Sequence, residues 1–407
     1  MPAALDVQAI ERALNELWKE MAASALSSAT VNRDEASAQE EEDAASDASL
    51  VYRDDRAAVL RTRVLNLLVY VASESELNEL SEALDQLTAA HPCRALVMFA
   101  LRDQADRDIE TFITTHCQDS SAGAAKRRMC CERVTLRASG QFVAELPSAA
   151  LPLVIPDLPK FLWWRAPYAP PFQASAFNHL ASTVDRVIVD STNFQDTLED
   201  FIALSSFIKS EEAEETFVSD LNWARLLSWR ALIASLFDAP ERRAALERLS
   251  EVRIKYHVPE ESDAPAPQAL LLTSWLATRL NWRIAHADRF HFIFEKNERR
   301  VNVLLQPITL GAPCEANRIK EVTLIADETT SFTVKRDSER GRYETSVKDD
   351  PEGVAATLAI SCLKRSEINL LARELETLST DRVYEEAIAC AAETCLRLAS
   401  SSPAKDK

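Results

Sequence analysis

Two apolar runs constrain the fold most. Val64 to Val71 and Ala95 to Leu101 are nearly continuous stretches of large apolar residues, the pattern of strands buried on both faces. Between them Ser73 and Glu76 have capping-box spacing, and Leu77, Leu80, Leu84 and Leu87 follow at helical spacing before Pro92. A buried strand, a helix and a second buried strand form a βαβ unit, which calls for a parallel or mostly parallel sheet. The alternation continues with a helix expected near Arg107 to Cys117 and a strand from Glu132 to Arg137. Leu146 to Pro171 carries seven prolines and predicts extended chain, with one short strand at Lys160 to Trp164. Val184 to Val189 is a further buried strand, and Asp196 to Ile208 a helix.

The second half has a different rhythm. Asp220 is an N-cap for a helix expected to run to Phe237, with Leu226, Trp229, Ile233 and Phe237 along one face. Glu251 to Val258 reads as a strand and Ala269 to Leu280 as a helix. Four or five strands with short connections follow between Trp282 and Val347, which implies antiparallel pairing. Helices near Ser366 to Leu378 and Asp381 to Ala399 end the pattern. The fold class expected is therefore an α/β N-terminal domain with a mostly parallel sheet, followed by an α+β domain with an antiparallel sheet. At 407 residues the chain exceeds what one hydrophobic core serves. The expected division is an amphipathic helix over 1–21, an acidic disordered linker over 22–52, an α/β domain over 53–210 and an α+β domain over 216–402. The helix rests on a stripe of Val7, Ile10, Leu14, Leu17, Trp18 and Met21, and the linker on seven acidic residues between Asp34 and Asp47.

Composition removes whole classes of chemistry. The chain has 5 glycines where average usage gives roughly 28. Since they lie at least a dozen residues apart, G-x-G-x-x-G, the P-loop and G-x-S-x-G are all excluded. A net charge of −18 argues against general nucleic-acid or membrane-surface binding. No apolar stretch is long enough to cross a bilayer, and Asp6, Glu11 and Glu16 near the start do not fit a signal peptide, so a cytoplasmic protein is expected. Eight cysteines in such a setting are not a disulfide framework, and no C-x-x-C or H-E-x-x-H supplies a metal site. His286, Asp288 and His291 do not all share one strand face, so they read as strand-edge residues. No catalytic motif, metal or cofactor is expected, and the chain reads as a non-enzyme.

Two segments carry the candidate interaction residues. Trp163 and Trp164, followed by Arg165, sit on a strand whose neighbouring side chains face opposite ways, so one tryptophan can be core while the other covers a second surface. Asn222, Trp223, Arg225 and Arg230 lie at or after a helix start, where free N–H groups favour an anion unless the capping Asp220 consumes them. Trp, Tyr and Arg supply the largest single contributions to interfaces, and these seven residues are the partner-interface candidates. The ordinary alternative is that the tryptophans are core.

At these residues a family resemblance becomes visible. RTRVLNLLV (Arg61 to Val69), HPCRALV (His91 to Val97), CCERVTL (Cys130 to Leu136), LPLVIPDLPKFLWW (Leu151 to Trp164), DRVIVDS (Asp185 to Ser191) and DLNWARLLSWRALIASLFD (Asp220 to Asp238) resemble, in this order, the OpcA family of glucose-6-phosphate dehydrogenase assembly proteins. The resemblance implies a non-catalytic factor that promotes assembly or activity of glucose-6-phosphate dehydrogenase in the oxidative pentose phosphate pathway. For cyanobacterial members it also implies redox regulation through thioredoxin, which makes thioredoxin a second candidate partner. Without a C-x-x-C that property does not transfer residue by residue; Cys93, Cys130 and Cys131 are the redox candidates, and buried thiols are the ordinary reading. A divergent sugar-phosphate-binding enzyme and a general scaffold that docks through its N-terminal helix are the alternative readings.

Overall fold

A computed structural model describes residues 6–21, 59–61, 63–88, 90–120, 127–166, 174–213, 215–258, 264–309, 318–348, 356–361, 366–377 and 379–401. The acidic segment 22–52 lies outside the described residues. The chain forms two compact units, residues 1–166 with 183–186 and residues 167–182 with 187–407.

In the first unit helix α1 spans residues 7–21. Strands β1 (Val59–Arg61) and β2 (Leu65–Val71) precede α2 (Glu74–Thr88), and β3 (Cys93–Leu101) completes the expected βαβ unit. The capping box closes as the spacing predicts: Glu76 N donates to Ser73 Oγ at 3.2 Å, and Ser73 N donates to Glu76 Oε2 at 3.1 Å. Leu80, Leu84 and Leu87 on α2 are buried, whereas Val64, which begins the apolar run, lies just outside β2 and is exposed. Next come β4 (Arg107–Ser120), β5 (Arg127–Ser139), α3 (Leu146–Ala150) and β6 (Lys160–Trp164). These strands lie in the order β1-β5-β3-β2-β6, all parallel, with β4 antiparallel on β5. Every residue of β2 and β3 is buried, as strands covered on both faces require.

Two expectations here are corrected. The segment near Arg107 to Cys117 is a strand rather than a helix, because Thr111, Ile113, Thr114 and Thr115 are β-branched and β5 supplies a complete antiparallel partner. Gly140 to Leu153 forms helical turns rather than extended chain. Pro147 and Pro152 each fall in the first turn of a helical segment, where a missing N–H breaks no bond.

The second unit contains α4 (Ser175–Ala181), β7 (Arg186–Val189, shared at its first residue), α5 (Thr197–Ile208) and β8 (Phe217–Asp220). Helices α6 (Leu221–Arg225), α7 (Leu227–Ser235) and α8 (Pro240–Leu246) follow, then β9 (Glu251–Val258) and α9 (Pro267–Leu280). The single helix expected from Asp220 to Phe237 is broken at Leu226, whose ψ of −9° ends α6. Strands β10 (Arg283–Asp288), β11 (His291–Lys296), β12 (Arg299–Thr309), β13 (Ile319–Ile325), β14 (Ser331–Asp337), β15 (Arg342–Lys348) and β16 (Ala356–Ser361) precede α10 (Glu367–Glu376) and α11 (Arg382–Ser401). Their sheet has the order β10-β11-β12-β9-β13-β14-β15-β16. It is antiparallel except for β9 beside β12, and it holds more strands than the four or five expected between Trp282 and Val347. Val252, Ile254, Val301, Val303, Val322, Leu324, Phe332 and Val334 are buried on one face, while α9 presents ten buried residues. Asn281, at φ 57°, ends α9 in the left-handed conformation that asparagine tolerates.

Candidate interaction site

The first candidate group belongs to β6. Trp164 pairs in register with Tyr70 on β2, and their rings stack at 4.2 Å with an 11° angle between planes. Trp163 points the other way and is fully buried, so both tryptophans are packed inside. Arg165 is half-buried: its guanidinium lies 4.7 Å from the Trp163 ring centroid and 3.3 Å from the carboxylate of Glu79. An arginine stacked on a ring and paired with a carboxylate is held in one orientation.

The second candidate group is a polar network at the ends of β7 and β8. Asp190 follows β7; its Oδ1 accepts from Thr192 N at 3.1 Å and from the Arg225 guanidinium at 2.7 Å. Asp220 ends β8; its Oδ1 accepts from Ser191 N at 3.0 Å and from Asn222 N at 2.8 Å. The Asn222 amide donates to Ser191 Oγ at 2.9 Å and accepts from Gln268 at 3.1 Å, and Gln268 in turn accepts from Ile319 N at 2.9 Å. Asn222 therefore works inside the unit, and the start of α6 is occupied by its own carboxylate. Trp223 is buried, donates from Nε1 to Asp381 at 2.8 Å and packs on Tyr384 at 5.6 Å. The Arg230 guanidinium lies over the same ring, 3.6 Å from its centroid.

Burial sets the electrostatics of this network. It pushes the Asp220 carboxyl up to about 7, with the nearby Asp190 charge adding to the rise and the N–H donors opposing it. Burial also lowers Arg230 to about 10 against the opposing pull of Asp381. Arg225 loses hydration too, but the Asp190 and Asp220 carboxylates outweigh that loss and hold it above its ordinary value. Asp220 Oδ2 and the Tyr384 hydroxyl are buried without a hydrogen-bond partner among the described residues. Of the sequence candidates here, Asn222 and Trp223 are buried and Arg225 and Arg230 are half-buried.

The redox candidates include a pair that local spacing does not reveal. Cys93 on β3 and Cys131 on β5 are direct cross-strand neighbours, with Arg94 opposite Glu132 one step on, and their Sγ atoms are 2.9 Å apart. Both thiols are buried, and their mutual hydrogen bond together with burial holds Cys93 well above the usual thiol range. Cys130 has its side chain outside the described set. Among the described residues no group of three or more His, Cys, Asp or Glu could hold a metal ion, and no helix is long and apolar enough to cross a membrane. His291 bonds Asn302 at 3.1 Å, an ordinary strand contact. A cleft of about 410 Å³, open to the surface, is lined by Ala285, His286, Ala287, Glu393, Leu396, Arg397 and Ser400.

Comparison with known proteins then supplies what geometry does not. Residues 84–206 match the glucose-6-phosphate dehydrogenase subunit N-terminal domain of the OpcA assembly family, and residues 216–388 match its C-terminal domain. The chain belongs to the OpcA family. OxPP cycle protein OpcA of Nostoc punctiforme is 34% identical over 236 residues, which cover 56% of this chain and 48% of that protein. Its namesake in Synechocystis is 31% identical over 198 residues, covering 49% of this chain and 39% of the other. The chain thus spans half or less of the length of these OpcA relatives. A solved 3-ketoreductase of Actinomadura kijaniata, KijD10 with NADP and TDP-benzene, is similar at a TM-score of 0.48 and 7% identity, covering 83% of this chain and 97% of its own. Similarity at that level carries no chemistry across.

The sequence candidates missed Asp190, Gln268, Asp381 and Tyr384, which complete the network around Asn222 and Trp223. Of these only Asp190 had a local signal, a charge directly after a buried strand.

Proposed function

We propose that this OpcA-family chain is a non-catalytic assembly or activating factor of glucose-6-phosphate dehydrogenase, acting in the cytoplasm within the oxidative pentose phosphate pathway. The supporting observation is the pair of consecutive matches, 84–206 and 216–388, to domains described as subunits of that dehydrogenase. The absence of any glycine-rich phosphate turn from the sequence is consistent with a protein that binds an enzyme rather than a nucleotide. The contact residues in this reading are the half-buried Arg165, Arg225 and Arg230. Trp163 stacks on Arg165, Trp223 stacks on Arg230 and Asp190 pairs with Arg225, while Trp164 and Asn222 are buried beneath.

The test is to add the purified chain to the dehydrogenase and follow NADPH absorbance and light scattering. A rise in activity or a shift in oligomer distribution supports the reading; no change in either at saturating protein overturns it. Arg165→Ala and Arg225→Ala then locate the contact. Activation lost at an unchanged melting temperature marks an interface residue, whereas full activation by both variants removes these positions from it. Thioredoxin enters the reading through Cys93 and Cys131. Hydrogen peroxide would convert their two thiols to a disulfide with release of two waters, and a dithiol such as thioredoxin would reverse it. Peptide mapping after peroxide, with and without a dithiol reductant, decides whether that bond forms.

A further inference from the structure

Helix α1 lies against its own unit on an unusual floor. Ile10, Leu14 and Trp18 are buried at 7%, 0% and 8% exposure, while Val7, Leu17 and Met21 of the same stripe are half-buried. Its floor includes a cluster of buried ions. Trp18 Nε1 donates to Glu132 Oε1 at 2.7 Å, and Arg94 donates from Nε to Glu132 Oε2 at 2.9 Å. Arg94 also reaches Glu11 of α1 through Nη2 at 3.2 Å and the Leu153 carbonyl at 3.0 Å, while Arg63 lies 3.3 Å from Glu132. Glu132 and Arg94 are among the most buried charges of the unit. At the end of the helix Thr115 Oγ1 donates to Met21 Sδ at 3.1 Å.

Such a floor behaves differently from an apolar one when it is uncovered. A vacated hydrocarbon groove exposes surface that water rejects, but a vacated Glu132–Arg94–Arg63 cluster regains hydration. Recovering that hydration offsets part of the apolar gain of docking, so the helix is held with high specificity and modest net strength. The specificity comes from two groups on α1 that match the floor: the Trp18 N–H for the carboxylate and the Glu11 carboxylate for the guanidinium. Residues 22–58 separate α1 from β1, a length of chain that extends to at most roughly 120 Å.

We propose that the groove floored by Glu132 and Arg94 is a helix-receptor site that α1 occupies reversibly, and that α1 of a second copy can enter it when the first has left. The helix is a tethered occupant of its own receptor. This inference is independent of the dehydrogenase reading, and its test uses no enzyme.

Two measurements on the full chain decide it. Native-state hydrogen exchange should show α1 amides exchanging at least one hundred-fold faster than those of β3, through local opening; equal protection overturns the proposal. A fluorescein-labelled synthetic peptide of residues 6–21 is then titrated into the natural chain and into Trp18→Ala. The tethered helix competes at an effective concentration on the order of millimolar in the natural chain. The peptide should therefore bind Trp18→Ala at least ten-fold more tightly, and Glu132→Gln combined with Trp18→Ala should weaken that binding again. No binding to either chain, or equal binding to both, refutes a receptor site. Failure of Trp18→Ala to fold also refutes it, because a reversible occupant must leave a standing body behind.

Discussion

The two sheets bury their residues in different ways. Along β2 and β3 every position is buried, whereas along β14 and β15 buried and half-buried residues alternate. Parallel strands need crossover connections, and those crossovers cover both faces, so both sets of side chains must be apolar. Antiparallel strands joined by short turns place no such cover, and one face can carry Thr323, Thr333, Lys335 and Glu344. The lesson is that the same number of strand residues supports very different amounts of buried area, and that substitutions should be felt accordingly.

The sharpest way to break this contrast is Trp163→Ala. Trp163 is fully buried on a strand of the first sheet, and its loss should destabilise by about 3–5 kcal/mol in denaturant unfolding. A melting curve close to that of the natural chain would show that this strand is not covered on both sides.

Asp220 is expected to have a comparable but pH-dependent effect. Its folded-state carboxyl titrates at about 7, above the 3.8 of an exposed aspartate, so the folded state holds the proton more tightly than the unfolded state does. Its contribution is fully present below about pH 4 and is lost as pH rises toward 7, amounting to on the order of 4 kcal/mol as an upper figure. Asp220→Asn keeps an oxygen for Ser191 N and Asn222 N. The difference in stability between this variant and the natural chain should therefore grow in the variant's favour from pH 4 to pH 7.5, and a flat difference would mean that Asp220 ionises normally.

Ser73→Ala removes the side-chain half of the capping box at the start of α2 and should cost about 1 kcal/mol. Smallest of all is Lys335→Ala on the open face of β14, expected within about 0.5 kcal/mol in the same unfolding measurement. A loss above 2 kcal/mol there would mean that this face is covered after all.

Much of the architecture was legible where one local signal dominated. The apolar runs of β2 and β3, the Ser73 and Glu76 box, the helix α5 and the strand β9 all follow from spacing alone. Segments with two competing signals read less well. A helix is expected near Arg107 to Cys117, but pairing with β5 draws the β-branched stretch into a strand. Prolines suggested extension, but at Pro147 and Pro152 they fell where helical turns accept them. Of the candidate site, the tryptophans and arginines were visible by type. Their roles were not, because inside and outside are indistinguishable for a tryptophan whose strand neighbours face both ways.

Alternation, capping and composition are properties of residues near one another, and they determined by themselves that the chain holds a βαβ core followed by an α+β region, with no glycine-rich phosphate loop. The pairing of Cys93 with Cys131, of Trp18 and Arg94 with Glu132, and of Asp190 with Arg225 joins residues 38, 114 and 35 positions apart, with Arg94 and Glu132 again 38 apart. Strand register decided the contacts between β3 and β5, and the docking of helices onto the strands decided those of Trp18 and Arg225. No local pattern encodes a register, because it is the packing of both faces of a sheet that selects it.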